Sequence, residues 1–226
     1  MNRNLVYVLS LVLFWGCSNS SQDSNAPSTP PTNALGMLPT DKLSPLGDYL
    51  GIDFDNGRLK VAGPEGWPTG PRSDKDYLVQ FVRKRGSKLP SITVTARDAS
   101  FTDIRSSTRQ NVQQFAALIK QEVGDSAIVE DVRPILIGDK ACARYVKKIS
   151  LNNIIADQQV LDMLHNGRIY SVNLRVAVNK VQDYVYDAGT VAAGLKFLET
   201  DEPASPAEEP ATPPESADTS ESAATE

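Results

Sequence analysis

The residue types that most often carry out chemistry are scarce in this chain. Among 226 residues there is one histidine, His165, and there are two cysteines, Cys17 and Cys142. One imidazole and two thiols cannot build an ordinary His- or Cys-based metal site. His165 sits in His165-Asn166-Gly167-Arg168, so a solvent-facing turn residue is expected there rather than a general base. Cys142 lies between Ala141 and Ala143 and reads as a small buried hydrophobe, since a reactive thiol needs exposure and nearby positive charge. Asp53-Phe54-Asp55-Asn56-Gly57 resembles the opening of a calcium loop. Its glycine comes one residue early, and Pro64 stands where the bidentate Glu belongs, so a tight Asn56-Gly57 turn is expected instead. No Gly-x-Ser-x-Gly, His-Glu-x-x-His or phosphate-loop sequence occurs. Carboxylates are plentiful enough for a carboxylate-pair hydrolase, but spacing singles out no pair. The expectation is a chain with no catalytic, cofactor-binding or metal-ligating residue, and no enzyme.

Cations are the other group with something to bind. The whole chain carries 23 Lys+Arg against 28 Asp+Glu, a net charge of −5. Nine of the acidic residues fall between Glu199 and Glu226, where there is no Lys or Arg. Residues 41–198 therefore hold 22 basic and 18 acidic side chains, a net of +4. The acidic balance belongs to the tail and the middle is mildly basic. Arg83-Lys84-Arg85, Arg144, Lys147-Lys148, Arg168 and Arg175 fall on or beside expected strands. Alternation puts Arg83 on the Phe81 face and Arg175 on a face with Ser171 and Asn173, so no continuous basic stripe forms. A solvated sheet edge guarded against pairing is the expected role, with an acidic protein or anionic polymer as the alternative. Nucleic acid is not expected, because +4 is modest. Trp67, between Gly66 and Pro68, and Tyr170, on an apolar strand face, are expected in the core.

The amino terminus is an address. Leu5 to Trp15 is an apolar run of eleven residues behind Arg3. As a helix it spans about 16 Å, roughly half the hydrocarbon core of a membrane, which is the length of a secretory-signal core. The run ends in Phe14-Trp15-Gly16-Cys17, followed by Ser18-Asn19-Ser20-Ser21. This resembles a bacterial lipoprotein signal. The resemblance implies that Cys17 is lipidated, that the chain is exported, and that acyl chains tether it to a membrane of the bacterial cell envelope. Each buried CH₂ adds roughly 0.8 kcal/mol to such a tether. Residues 1–17 are then the signal with its lipidation site. Residues 18–45, rich in Ser, Asn, Pro and Thr, read as a flexible linker, and 46–199 as the globular domain. The Ala, Glu, Pro and Ser tail, 200–226, is expected to be disordered.

The elements that must position any site are mostly strands. Leu59–Ala62 is short and ends at the Gly63-Pro64-Glu65-Gly66-Trp67-Pro68 loop. Tyr77–Lys84 alternates, with Tyr77, Val79 and Phe81 on one face, and Ile92–Ala96 is rich in β-branched residues. Ile128–Val132, Ile135–Ile137, Ala141–Leu151 and Ile154–Leu164 are further runs. Asn166-Gly167 favours the two positive φ angles of a type I′ turn, followed by Tyr170, Val172, Leu174, Val176 and Val178 at a period of two. An antiparallel hairpin is expected there. Ser107 and Gln110 make a capping box before Val112, Phe115, Ala116, Ile119 and Val123. A second amphipathic helix starts near Asn179 and runs through Val181, Tyr184, Val185, Ala188, Ala192, Leu195 and Leu198. The order predicts an α+β fold: an antiparallel sheet flanked by two main helices in an α/β/α sandwich.

Over roughly residues 46–198 this order is similar to the PsbP-like superfamily. The features that carry it are the Gly63-Pro64-Glu65-Gly66-Trp67 turn after a short strand, the helix Asn111–Glu122, and Gly167-Arg168-Ile169-Tyr170 opening a strand before the last helix. The resemblance implies a fold and a non-catalytic protein-binding or assembly role, and no site residue. With the lipid signal, it makes an envelope protein the expected partner. A hydrolase of envelope material, or a carrier of a small apolar ligand, stands as the alternative.

Overall fold

The computed structural model describes residues 35–198, apart from residues 72, 74, 125–127 and 152. The signal with Cys17, the linker as far as residue 34 and the acidic tail lie outside the described residues. Strands β1 (Gly36–Leu38), β2 (Leu46–Tyr49), β3 (Leu59–Lys60) and β4 (Ala62–Pro64) come first. β5 (Val79–Val82) and β6 (Ser91–Asp98) follow, then helix α1 (Val112–Val123). β7 (Ile128–Ile137), β8 (Lys140–Leu151), β9 (Ile154–His165) and β10 (Arg168–Ala177) lead to α2 (Val185–Gly194) and β11 (Lys196–Phe197). Seven strands form one sheet in the order β1-β7-β8-β9-β10-β6-β5, while β11 pairs with β3 and β2 with β4. The sheet is mixed rather than wholly antiparallel, because β1 runs parallel to β7.

The hairpin between β9 and β10 forms at its expected turn: Asn166 and Gly167 have φ of 50° and 80°, and Arg168 lies opposite His165. Alternating side chains of β8, β9 and β10 then enter two different clusters. Phe115, Ala116 and Ile119 of α1 pack with Ala143, Tyr145, Val160, Leu164 and Ile169. Ala188, Val191 and Ala192 of α2 pack in the cluster that holds Cys142, Val146, Leu161, Met163, Tyr170, Val172 and Leu174. The period of two in a strand makes this division, since neighbours along the chain point to opposite faces.

Four expectations change. The linker does not extend to residue 45: Leu38 and Leu43 pack against the α2 cluster, and Ser44 is bonded through its hydroxyl to Asp187 and through its carbonyl to Thr190, each at 2.8 Å. Ser107 is no helix cap. Its hydroxyl donates to the Ala141 carbonyl at 2.8 Å and accepts from the Leu164 amide at 3.1 Å, tying the loop to two strands. The runs 128–132 and 135–137 are one strand, with two irregularities of register between Ile128 and Arg133 and Pro134 paired in regular register with Ala143. The last helix is shorter than its apolar spacing, because Val181–Asp183 is a single 3-10 turn and the chain turns extended at Leu195 to make β11.

Candidate functional site

On β10, β6 and β5, the side chains entering the α2 cluster are apolar: Tyr170, Val172, Leu174 and Val176, then Ile92 and Val94, then Val79 and Phe81. The alternate side chains are polar. Register sets them side by side: Ser171 lies opposite Asp162 and Thr95, Asn173 opposite Thr93, and Arg175 opposite Gln158 and Ser91. Gln80 on β5 continues the row beside Thr93. The polar side chains thus cross β9, β10, β6 and β5, beyond the cluster that α1 covers.

Part of this surface is internally satisfied. The Gln158 amide donates to Asn173 at 2.8 Å, and Asn173 donates to Thr95 at 3.3 Å. Another part is not. Ser91 Oγ, Thr93 Oγ1, Arg175 Nε and both Asp162 carboxylate oxygens are buried without a well-formed hydrogen bond. A buried polar atom left in that state costs on the order of 1–3 kcal/mol, and five such atoms gathered on one face call for an explanation. Burial pushes the Asp162 carboxyl up to about 6, against the opposing pull of Ser171, Arg97 and Lys147. Burial, and then the Asp162 charge, push the Tyr145 phenol up as well. The Arg175 guanidinium is drawn below its usual value by burial, with Tyr77 and Asp76 opposing.

At one end of the polar face lies a cleft of about 640 Å³. Its polar lining comes from Gln80, Ser91 and Arg175 on the strands and from Arg85, Ser87 and Lys88 on the loop between β5 and β6. Val82, Leu151 and Pro71 supply apolar wall. A second cleft of about 370 Å³ lies on the other side of Thr69-Gly70-Pro71, among Leu50, Ile52, Phe54, Leu78 and Val79. A third, about 520 Å³, is lined by Asp139, Lys140, His165 and Phe197.

The residues singled out in the sequence are spread widely. His165 is half-buried rather than solvent-facing, stacked on Phe197 with ring centroids 4.4 Å apart and planes 11° apart. Cys142 is fully buried, and desolvation pushes its thiol far above the usual range. Asp55 serves as a clamp: Arg168 donates two hydrogen bonds to it, each at 2.8 Å, and the Tyr170 hydroxyl a third at 2.8 Å. Trp67 and Tyr170 are both core, at 5% and 1% exposure. Arg144 is buried and paired with Glu130 at 2.6 Å and Gln159 at 3.1 Å, and Lys148 pairs with Asp157 at 3.0 Å. These are interior strands, so guarding an edge is not their role. Arg83 stands past the end of β5 with its guanidinium 5.9 Å from the Trp67 ring centre. Arg175, Ser171 and Asn173 do share a face, as alternation required. Asp162, Gln158, Ser91, Thr93, Thr95 and Gln80 are the members of that face not anticipated. Among the described residues, no three His, Cys, Asp or Glu are grouped to hold a metal ion.

No protein-family model matches the chain, and no curated protein matches it. Among solved structures it is similar to a protein of Bacteroides thetaiotaomicron, at 11% identity and a TM-score of 0.47 over 69% of this chain. The chain spans about half of that protein, 50% of its length. It is similar to the cyanobacterial PsbP of Synechocystis at 12% identity and a TM-score of 0.42, covering 73% of this chain and 99% of that one. It is also similar to LpqN of Mycobacterium tuberculosis, a protein involved in cell envelope biogenesis, at 12% identity and 0.42, covering 67% and 91%. None of the three superposes closely enough to carry a function across.

Proposed function

We propose that this chain is a lipid-anchored, non-catalytic binding module of the bacterial cell envelope, built as an α/β/α sandwich of the PsbP-like kind. Its tether is the lipid on Cys17, and its binding surface is the polar face formed by β9, β10, β6 and β5. The observation that carries the reading is that Ser91 and Arg175, each with a polar atom that finds no partner, meet on that one face and line the cleft at its end. A scaffold has no use for them there, whereas a partner reaching in through the cleft that completes the hydrogen bonds of Ser91 and Arg175 recovers what their burial costs. The face spans four strands, about 15 Å at the usual strand spacing, a width suited to another envelope protein. The membrane tether raises the local concentration of the module and the linker sets its reach.

A carboxylate hydrolase is the weaker reading. Asp162, raised by burial, and Glu122, whose carboxyl is held below its usual value by Arg97 and Ser100 against the effect of burial, are the pair whose environments push them apart, as acid and base require. Asp162 is only 1% exposed, so it has no proton path to a substrate.

The test is crosslinking in intact cells, with recovery through a tag on the acidic tail and mass spectrometry, beside a Cys17→Ser control. One envelope protein recovered near stoichiometrically, and lost in the control, is the expected result. A membrane-bound chain that crosslinks to nothing would overturn the binding reading, and a Cys17→Ser chain that stays on the membrane would overturn the tether.

A further inference from the structure

We infer that the cleft at the open end of the polar face is a binding site for a small molecule bearing a multi-oxygen anion, a phosphate or a carboxylate. This rests on the reading of that face as a binding surface and adds what it binds at one end. Three cations line the cleft, Arg85, Lys88 and Arg175, and no acidic residue does so among the described residues. Among the described residues none of the three forms an ion pair: the salt bridges there use other cations, Arg168 and Arg144 among them.

The three cations differ in what they can contribute. Arg85 and Lys88 are exposed on the loop between β5 and β6 and act as a rim of charge, useful for capture and screened by salt. Arg175 is fixed on an interior strand, between Gln158 and Ser91. Its Nε is buried and donates to nothing. Beside it, Ser91 is 1% exposed, lines the same cleft, and has an Oγ with no partner. A guanidinium with an idle Nε, lining the cleft next to an idle hydroxyl, is the arrangement that a two-oxygen anion completes, because a planar fork matches the spacing of such oxygens. Gln80 adds a third polar group to the lining, while Val82, Leu151 and Pro71 give the body of the ligand apolar contact. The volume of about 640 Å³ is that of an ordinary small-molecule site.

This arrangement sets apart a binding role from a structural one. An arginine that supports the fold through its partners destabilises the protein when removed. One held partly desolvated and unpartnered does not, since its removal relieves an uncompensated cost.

The experiment is isothermal titration of the full chain with inorganic phosphate and, separately, with succinate, at matched ionic strength. It is repeated on a full chain whose nine tail carboxylates are replaced by amides, so that the tail cannot mask the site. Saturable binding of one anion is expected, and which one binds assigns the source. Arg175→Gln should weaken it by about tenfold or more, and leave the melting temperature without ligand unchanged or higher. Should Arg175→Gln fold poorly, Arg85→Gln with Lys88→Gln, two exposed positions, still has to weaken binding and flatten its salt dependence. No saturable binding of either anion to either chain, or unchanged affinity in both sets of variants, overturns the site. If crosslinking recovers a partner while neither anion binds, the anion site falls and the binding module stands. If an anion binds and no partner is recovered, the reverse holds.

Discussion

Asp162 is a carboxyl placed in the middle of a sheet, opposite Ala143 on β8 and Ser171 on β10. Desolvation lifts it from 3.8 to about 6, so the folded chain holds this proton more tightly than the unfolded chain does. The sign of its effect follows directly. Asp162 costs nothing while both states are protonated, its cost grows as pH rises from about 4 to about 6, and it is fully in place above that. Asp162→Asn keeps the shape and removes the titration. Between pH 4 and pH 7 the variant should therefore gain on the order of 2 kcal/mol on the parent chain, read as the difference in their urea midpoints. Parallel pH curves for the two proteins would mean that Asp162 is ionised without cost.

Among the elements, the approach of β4 to β5 is tight enough to depend on one missing side chain. A Cβ at Gly63 would stand 2.5 Å from two atoms of the Phe81 ring, and Phe81 is buried at 2% exposure with no room to withdraw. Gly63→Ala should cost about 1–3 kcal/mol, the usual range for overpacking a core, and a thermal melt reads this directly. A melting temperature equal to the parent's would show that the ring can shift. The strands from β5 to β10 were legible because each has alternation, β-branched residues or a turn dipeptide at its end, and Asn166-Gly167 gave the hairpin register outright. β1 and β2 were not, because Gly36-Met37-Leu38 and Leu46-Gly47-Asp48-Tyr49 are too short to show a period and gain their strand character from what they pair with. Ser107 was misread for a related reason: its Ser-x-x-Gln spacing fits a cap, but partners distant in sequence take the hydroxyl. Part of the polar face was legible by the same logic. Alternation along β10 joins Ser171, Asn173 and Arg175, whereas bringing Asp162 and Ser91 beside them takes strand pairing that no local pattern encodes. The run Ile154–Leu164 also reads as apolar overall, which hid Gln158 and Asp162 inside it.

For the molecule as a whole, the edges of the seven-stranded sheet are its exposed flanks. One edge is the four-residue β5, and the other is the three-residue β1, laid parallel along Ile135–Ile137 of β7. Short edge strands are a recognised way of refusing a second sheet. β1 is held by the segment behind it, where Leu38 and Leu43 press on the Gly189 position of α2 and Ser44 bonds Asp187 and Thr190. A chain starting at Ser44 would keep the interior strands and lose this cover, leaving the backbone of Ile135, Leu136 and Ile137 ready to pair with a neighbour. It should sediment as larger species than a chain starting at Leu35, and identical sedimentation of the two would show that β7 needs no guard. If the guard is needed, the first few residues after the linker also act as a shelf-life device. A protease that clipped the chain between Leu38 and Ser44 would turn a well-behaved protein into a seed for its own precipitation.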